Sequence, residues 1–504
     1  MLTRLHDLPL FLQLLGLVGL SMLVPAGHAL TIENFHEMRS FFYAGVLILI
    51  LVSLIGIAMS NRVHNRSGLR QLLALLGAFT VLPLAMAVPF FEALRTTSFL
   101  NAYFEMVSSF TTTGATLFPA ERLSSTLHLW RALVGWMGGL LMWIAAAAIL
   151  APLNLGGFEV TASAEPGRGE ARVAMMDGAD PMTRVLRTSW RLIPVYAGLT
   201  LALWVTLLIS GEGPLVAFSH AASTIATSGI SPVGGVQNGA AGFVGEVLIF
   251  LFLLFALSRL TFSNDTVTGA SGDLRNDPEF RIGLLLVVMV PGFLFLRHWA
   301  GALDVDEVNN FWAALKALWG SIFTVLSFLS TTGFESADWA EARGWSGLDN
   351  PGMILLGLAM IGGGVATTAG GVKLLRVFAL YLNGMREIER LVHPSSVGNA
   401  GALSRRIRRQ GAFVAWIFFM LFAISLASVT IVLGGLGVDF DAALVLAISA
   451  LSTTGPLTAV ALDAPIELVE LWPAAKLVFA AAMVLGRLET LAIIALLSPN
   501  LWRD

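Results

Sequence analysis

Ten long apolar stretches dominate the hydrophobic pattern of the chain. Each approaches the roughly 20 residues that a helix needs to cross the hydrocarbon core of a bilayer. They fall near residues 8–30, 40–60, 70–92, 127–153, 186–210, 241–262, 281–300, 351–383, 410–435 and 467–498. The pattern therefore predicts an all-α integral membrane protein with ten transmembrane helices.

Four shorter apolar stretches lie between the long ones, near 99–111, 216–226, 313–329 and 440–451. At about 10–17 residues they suit re-entrant helices better than full crossings. Each is followed by small polar residues and a glycine. We call these tripeptides the four Gly-loops: Thr112, Thr113 and Gly114; Thr227, Ser228 and Gly229; Thr331, Thr332 and Gly333; Thr453, Thr454 and Gly455.

The Gly-loops recur in a fixed order, which indicates internal repeats. Their glycines are separated by 115, 104 and 122 residues, and each loop lies between two long spans. The repeating unit is thus helix, pore loop, helix. We divide the chain into a two-helix preamble and four pore repeats, with bounds 1–62, 63–155, 156–265, 266–390 and 391–504. The second repeat includes the cytoplasmic link that precedes it, and the third includes a Gly-rich intramembrane segment.

The composition supports a membrane protein. Hydrophobic residues make up 56% and charged residues only 12%, with a mean hydropathy of +0.79, whereas a soluble chain carries about a quarter charged residues. The net charge of −3 and the lack of a basic tract give no sign of nucleic-acid binding. Without cysteine there are no disulfides or thiolate sites, and the eight scattered histidines lack the spacing of metal ligands.

The N-terminus allows two interpretations. Arg4, the apolar run 8–24 and the small residues that follow resemble a secretory signal with a cleavage site. We take this segment instead as the first membrane helix.

The charges of the links predict the orientation. Arginines concentrate between the repeats, at 62, 66 and 70; at 168, 172, 184, 187 and 191; at 259, 275 and 281; and at 386, 390, 405, 406, 408 and 409. An excess of Lys and Arg marks the cytoplasmic side, so the Gly-loops face outside. The outer segments carry acids that could concentrate cations or form an ordinary solvated rim: Asp304, Asp306, Glu307, Asp439, Asp441, Asp463, Glu467 and Glu470.

The Gly-loops have the chemistry of an ion filter. Non-helical backbone at membrane depth is tolerated where protein buries it or water lines it. Four such loops can meet around a pseudo-fourfold axis, where glycine lets carbonyl oxygens turn inward and the preceding helices point their negative ends. Carbonyl rings that replace a hydration shell select potassium. The alternative is that the small residues only pack helices closely.

With these features the chain resembles the Trk/Ktr/HKT superfamily of potassium transporters, and most closely the TrkH membrane subunits. The resemblance covers essentially the whole chain, and the four glycines match the signature of the family's filter. Members with serine in the first filter often pass sodium, so Gly114 favours potassium. Pro456 also agrees with the family, Ser228 replaces the threonine of the other loops, and the link at 154–185 matches no motif.

The span from Pro351 to Gly384 is too long for one straight helix. Its 34 residues would extend about 51 Å, and its middle reads IGGGVATTAGGVK, so we predict a broken helix. The resemblance implies an intramembrane loop that obstructs the pore below the filter. A flexible kink or close packing is the alternative. The predicted gate residues are Gly362, Gly363, Gly364, Thr367, Thr368, Gly370 and Gly371.

Arg487 lies near the middle of the last span. An arginine there costs about 2.5–3.5 kcal/mol, so it is usually functional or paired. Glu489, two residues on, falls on a different helix face and should not neutralise it. The resemblance implies that Arg487 lies in the pore beside the loop as a barrier to cations; a buried ion pair with another acid is the alternative. Lys373 is a weaker candidate, which we expect to face the cytoplasmic headgroups.

Together these features predict a potassium-uptake protein of the bacterial inner membrane rather than an enzyme, since no acid/base or nucleotide-binding motif is present. Potassium at the filter is the transported ligand, and no cofactor is expected in this chain. The resemblance implies a homodimer and a cytosolic TrkA-like nucleotide-binding subunit docked on the basic links. Two alternatives remain: the potassium-binding subunit of a P-type pump, and a proton- or sodium-coupled symporter.

Overall fold

The computed structural model describes residues 8–59, 68–153, 155, 157, 181–258, 274–301, 311–347, 352–393 and 409–489. Within these ranges every regular element is a helix, and no strand occurs. The predicted all-α class is therefore confirmed for the part of the chain that the structure describes.

The first part of the chain contains the preamble and the first Gly-loop. Its helices are α1 (Leu10–Ser21), α2 (Leu23–Thr31), α3 (Phe35–Met59), α4 (Gly68–Leu94), α5 (Phe99–Phe110) and α6 (Ser125–Ala145). Both α5 and α6 begin after a serine whose hydroxyl accepts a hydrogen bond from a first-turn N–H, at 3.3 Å in each case. Such caps satisfy backbone donors that a helix start leaves open.

The middle of the chain repeats this arrangement twice. Its helices are α7 (Pro181–Ile209), α8 (Pro214–Ala226), α9 (Gly242–Leu253), α10 (Pro278–Gly301), α11 (Phe311–Leu329), α12 (Trp339–Ser346), α13 (Gly352–Ile361) and α14 (Leu374–Val392). The last part contains α15 (Arg409–Gly435), α16 (Phe440–Leu451), α17 (Leu457–Val460) and α18 (Pro473–Leu488). Pro214 and Pro473 open α8 and α18, where proline's missing N–H is harmless.

The four predicted short helices correspond to α5, α8, α11 and α16, and at most one residue separates the end of each from its Gly-loop. The ten predicted spans agree less well. In the part of the chain that the structure describes, eight helices are long and apolar enough to cross a membrane: Leu10–Thr31, Phe35–Met59, Arg70–Leu94, Ser125–Leu150, Met182–Ile209, Pro278–Arg297, Phe311–Leu329 and Gly411–Gly435. One predicted short helix, α11, is itself long enough to cross a membrane. Three predicted spans are shorter than expected: the stretch at 241–262 forms a shorter helix, glycines break the eighth stretch, and α18 ends at Leu488.

Contacts between the repeats run in a cycle. The helix that follows each Gly-loop packs on the short helix of the next repeat: α6 on α8, α9 on α11, α13 on α16, and α18 back on α5. At the closing contact the rings of Phe479 and Phe104 lie 5.5 Å apart. The cycle places the ends of the four short helices, and hence the four Gly-loops, at a common centre.

Much of the predicted charge pattern lies outside the described residues. This holds for Asp304, Asp306 and Glu307, and for Arg62, Arg66, Arg168, Arg172, Arg259, Arg405, Arg406 and Arg408. Most of the link at 154–185 lies outside them as well. The orientation in the membrane stays a prediction.

Candidate functional site

The four Gly-loops share one backbone pattern. In each, the N–H of the middle residue donates to the carbonyl of a serine five residues earlier, always at 2.9 Å: Thr113 to Ser108, Ser228 to Ser223, Thr332 to Ser327, and Thr454 to Ser449. None of these serines is among the predicted site residues. Their signal is nevertheless present, because each stands six residues before its glycine.

The turn itself is made by threonine as much as by glycine. The first residue of each loop has a left-handed backbone, with φ of 57° at Thr112, 51° at Thr227, 61° at Thr331 and 55° at Thr453. β-branched residues rarely adopt this conformation, and such strain tends to occur at functional sites. From the sequence, glycine alone was expected to make this turn.

Only three of the four glycines have a left-handed backbone. Gly114, Gly229 and Gly333 have φ of 75°, 65° and 82°, whereas Gly455 is not among the residues with positive φ. Two features explain the exception. Pro456 follows directly, and a residue before proline favours the extended region. The N–H of Gly455 also donates to the carbonyl of Thr113 at 2.6 Å.

The loops touch one another in a closed cycle. A Cβ atom added to each glycine would collide with the next loop or with the residue directly after that loop: at 1.9 Å from Ser228 O for Gly114, 2.2 Å from Thr332 O for Gly229, 2.8 Å from Pro456 Cγ for Gly333, and 2.0 Å from Ala115 N for Gly455. Glycine is thus required because the four backbones approach too closely for any side chain.

Carbonyl groups are left open at this centre. No hydrogen bond between described residues uses the carbonyl oxygen of Thr112, Thr227, Thr331 or Thr453, although all four residues are buried. Buried carbonyls without a donor are uncommon, so these oxygens are available to a cation. The carbonyls of the middle loop residues are not all open in this way. That of Thr113 accepts from the N–H of Gly455, and that of Thr454 accepts from Ser449 Oγ at 3.0 Å.

Two buried carboxylates brace the loops. Glu105 on α5 accepts from the N–H of Leu117 at 3.0 Å and pairs with Arg131 at 2.7 Å. Glu246 on α9 accepts from Trp319 Nε1 and Ser336 Oγ, both at 2.7 Å. Neither glutamate is among the predicted site residues, although both are charges inside apolar stretches, which is the feature that drew attention to Arg487.

A cavity of about 360 Å³ adjoins the ring, and all four loop glycines line it. Glu335 and Glu467 line the same cavity. Burial raises the pKa of Glu335, and the charge of Arg343 opposes part of this effect. Glu467 is one of the acids that the charge pattern predicts on the outer side, so the predicted orientation would put this cavity on the outer side of the Gly-loops.

The predicted broken helix is confirmed. Helix α13 ends at Ile361 and α14 begins at Leu374; we call residues 362–373 the intramembrane loop. Its ends are tied together, since the N–H groups of Val372 and Lys373 donate to the carbonyls of Met360 and Ile361, each at 2.9 Å. Gly362 and Gly371 have left-handed backbones. A Cβ on either would collide with the opposite end of the loop.

The intramembrane loop lies against three of the four repeats. The N–H of Gly370 donates to Thr331 Oγ1 at 2.7 Å, and the hydroxyl of Thr368 donates to the carbonyl of Ile225, in the last turn of α8, at 3.0 Å. A Cβ on Gly370 would lie 2.2 Å from the carbonyl oxygen of Ser452. The structure thus brings the predicted loop and the Gly-loops into direct contact.

The other side of the intramembrane loop is held by two residues that flank the link between the second and third repeats. The N–H of Gly364 donates to the carbonyl of Ala256 at 2.9 Å, and that of Val365 donates to Glu279 Oε1 at 2.9 Å. Near these residues, the hydroxyl of Ser258 donates to Asp277. Gly363 packs beside Ala256, and the hydroxyl of Thr367 donates to the carbonyl of Gly364 within the loop.

Arg487 points at the same loop. Its side chain is 3% exposed, and Nη1 donates to the carbonyl of Thr368 at 2.7 Å. Its Nε and Nη2 have no hydrogen-bond partner among the described residues, and no ion pair forms with any described acid. The alternative of a buried ion pair therefore finds no support in the described part of the chain.

Two expectations near Arg487 need correction. Glu489 does not lie on another face of the same helix, because α18 ends at Leu488; it pairs instead with Arg376 of α14, at 2.6 Å. Lys373 does not face the headgroups. It is 6% exposed and its Nζ donates to the carbonyl of Ala369. In both cases the local backbone leaves the helix, which helical periodicity could not anticipate.

Comparisons with known proteins agree with this architecture. The family model TrkH, described as a cation transport protein, matches residues 281–503. The Trk system potassium uptake protein TrkH of Salmonella typhimurium is 30% identical over 435 residues, covering 84% of each chain. TrkI of Halomonas elongata is 29% identical and covers 85% of this chain and 82% of its own.

A solved structure is similar over the full length. The crystal structure of the potassium transporter TrkH from Vibrio parahaemolyticus matches with a TM-score of 0.78 and 26% identity, covering 100% of both chains. The fold and the relatives together define a multi-pass membrane transporter. The chain belongs to the TrkH family.

Proposed function

We propose that this protein takes up potassium across the bacterial inner membrane by a channel-like route through the four Gly-loops. The observation that carries the proposal is the closed cycle of loops with four buried threonine carbonyls that accept no hydrogen bond from the described residues. The names of the relatives, which are potassium uptake proteins of Trk systems, support the choice of ion. The proposed architecture is two preamble helices and four pseudo-fourfold repeats, with ten crossings and four re-entrant helices.

The chemistry follows from the backbone. A potassium ion that leaves water must exchange its hydration shell for other oxygens, and rings of carbonyls provide them. The C-terminal ends of α5, α8, α11 and α16 add negative potential at the same place. The proposed filter consists of the twelve residues of the four Gly-loops, from Thr112–Gly114 to Thr453–Gly455.

The intramembrane loop and Arg487 are the proposed gate. The loop lies against the ends of three short helices or their Gly-loops, so it stands where an ion leaving the filter would pass. Arg487 holds the loop through Thr368, and its Nε and Nη2 have no hydrogen-bond partner within the described ranges. A positive charge that is desolvated and uncompensated repels cations strongly.

The proposed regulation uses the cytosolic side. A TrkA-like nucleotide-binding subunit would dock on the basic links, and the membrane subunit would form a homodimer. Ala256 and Glu279 flank one of these links and both hold the intramembrane loop. A displacement of the link therefore has a direct route to the gate.

Potassium flux through purified protein in liposomes tests the function. We expect a flux that needs only a potassium gradient, exceeds sodium flux, and responds to the cytosolic partner with nucleotide. An absolute requirement for a proton or sodium gradient would favour the symporter instead. A requirement for an ATP-hydrolysing subunit, copurifying with the chain, would favour the P-type pump.

A further inference from the structure

Thr331 takes part in both the Gly-loops and the contact with the intramembrane loop. We propose that the first threonines of the four Gly-loops form the innermost cation site, and that the Gly370 N–H competes with the cation for the Thr331 hydroxyl. On this proposal, which rests on the function proposed above, potassium at the innermost site and the obstructing position of the loop exclude each other.

The contact geometry identifies the shared atom. The N–H of Gly370 donates to Thr331 Oγ1 at 2.7 Å. A Cβ added to Gly370 would lie 2.3 Å from Thr453 Oγ1. The backbone of Gly370 is therefore packed against the first threonines of the third and fourth loops at once, and only glycine fits there.

The hydroxyls of the other three first threonines make no hydrogen bond to the intramembrane loop among the described residues. Thr227 Oγ1 donates to the carbonyl of Ala226 at 2.7 Å. Thr112 Oγ1 and Thr453 Oγ1 are buried and have no hydrogen-bond partner among the described residues. Buried hydroxyls normally find a partner, so these two oxygens point to a ligand that the site is built to receive. The carbonyls of the same four threonines also accept no hydrogen bond between described residues.

An amide N–H can stand where a cation would act. Like a coordinated potassium ion, it carries positive charge and binds an oxygen lone pair. Thr331 Oγ1 has that amide as its donor in the obstructed state. The hydroxyl oxygen has a second lone pair, but a potassium ion bound there would lie beside the partial positive charge of the Gly370 N–H. Because the two repel each other in a buried site, the ion displaces Gly370.

Mutual exclusion has a thermodynamic consequence. A ligand that binds one state only shifts the equilibrium toward that state by mass action. Potassium should therefore favour the displaced loop, and the transported ion itself contributes to opening the gate. Removing the Gly370–Thr331 hydrogen bond should weaken the dependence of the loop position on potassium.

The absence of cysteine from the chain provides a clean test. Ala369→Cys places one thiol in the intramembrane loop, and its reaction rate with a charged methanethiosulfonate reagent reports access from the cytosolic side. We expect labelling to accelerate about tenfold when potassium replaces choline at about ten times its dissociation constant. In Ala369→Cys with Thr331→Val, labelling should be fast in both salts and basal flux should rise. Thr331→Ser, which keeps the hydroxyl, should restore the potassium dependence.

Two further variants separate the hydrogen bond from other effects. Thr453→Val removes an equivalent hydroxyl but no hydrogen bond to the loop, so labelling should stay potassium-dependent with weaker apparent affinity. Thr430→Val removes a buried hydroxyl that bonds within α15, and it should change neither labelling nor flux.

The outcomes also separate this inference from the proposed function. A conducting protein whose Ala369→Cys labelling ignores potassium overturns the competition and leaves the function standing. So does a folded Thr331→Val protein that keeps the potassium dependence. Potassium-dependent labelling in a protein without potassium flux would support the inner site and overturn the conducting function alone.

Discussion

At the scale of single residues, the left-handed threonines are the least expected feature of the site. Thr112, Thr227, Thr331 and Thr453 all adopt a conformation that their branched side chains disfavour. The same deviation at four equivalent places indicates that the surrounding structure imposes it. The result is a row of carbonyls that no N–H of the described residues satisfies.

Gly114 is the residue whose replacement should most directly alter ion selection. In Gly114→Ser the new Cβ would lie 1.9 Å from the carbonyl oxygen of Ser228, so one quarter of the ring must move. We expect the potassium-to-sodium permeability ratio to fall about tenfold, which corresponds to about 1.4 kcal/mol. Flux with paired potassium and sodium gradients in liposomes measures the ratio.

Gly292→Ser is a matched control, because a Cβ at Gly292 meets nothing within 4 Å. Its permeability ratio should equal that of the unmodified protein. An unchanged ratio in a folded Gly114→Ser protein would count against the assignment of the filter.

Arg487 should act as an electrostatic barrier. Arg487→Ala removes the charge and the hydrogen bond to Thr368, and we expect basal potassium flux without any partner to rise about tenfold, equivalent to about 1.4 kcal/mol of barrier. Arg487→Lys keeps the charge and should stay closer to the unmodified protein. If the folded alanine variant conducts no faster than the unmodified protein, Arg487 is not part of the gate.

At the scale of elements, the broken span is the part that the sequence identified best. Glycines at 362–364, 370 and 371 predicted that the helix would not continue, and α13 and α14 end and begin on either side of them. What the loop contacts could not be predicted. Its hydrogen-bond partners Ile225, Ala256 and Glu279 lie 86 residues or more away in the chain from the atoms they bind.

Glu279 should hold the intramembrane loop to the adjoining link. Its carboxylate accepts the N–H of Val365 at 2.9 Å, and a hydrogen bond to a charged group contributes about 1.5–3 kcal/mol. Glu279→Ala should loosen the loop, raise basal flux about tenfold, and reduce the response to the cytosolic partner. Liposome flux with and without that partner measures both.

Two variants make this test specific. Glu279→Gln keeps an acceptor oxygen and should behave nearly as the unmodified protein. Glu387→Ala removes an exposed acid of α14, whose partner is Arg390, and should leave basal flux unchanged. If Glu279→Ala folds normally and keeps both basal flux and the partner response, Glu279 does not position the loop.

At the scale of the whole molecule, the cycle of helix contacts determines where the site lies. Each helix after a Gly-loop packs on the short helix of the next repeat, and α18 closes the cycle on α5. Residues as distant in the chain as Gly455 and Thr113 thereby come within hydrogen-bond distance. The small side chains of the Gly-loops permit this approach because they leave the backbones room to meet.

The sequence by itself determined the all-helical membrane class, the four short helices, the Gly-loops and the broken span. These features follow from local properties, namely the length of apolar stretches and the positions of glycine. Membership of the superfamily also followed from the sequence. The four serines and the buried acids Glu105 and Glu246 were within reach of the same reasoning.

The tertiary structure alone decided the contacts between distant segments. Only packing brings Gly370 to Thr331, Arg487 to Thr368, and Glu489 to Arg376. It also buries Lys373 and gives Gly455 a different backbone from the other three glycines. Hydrophobic periodicity specifies which face of a helix is apolar, but the partner of a buried polar group depends on which elements meet, and that is set by the packing of the whole chain.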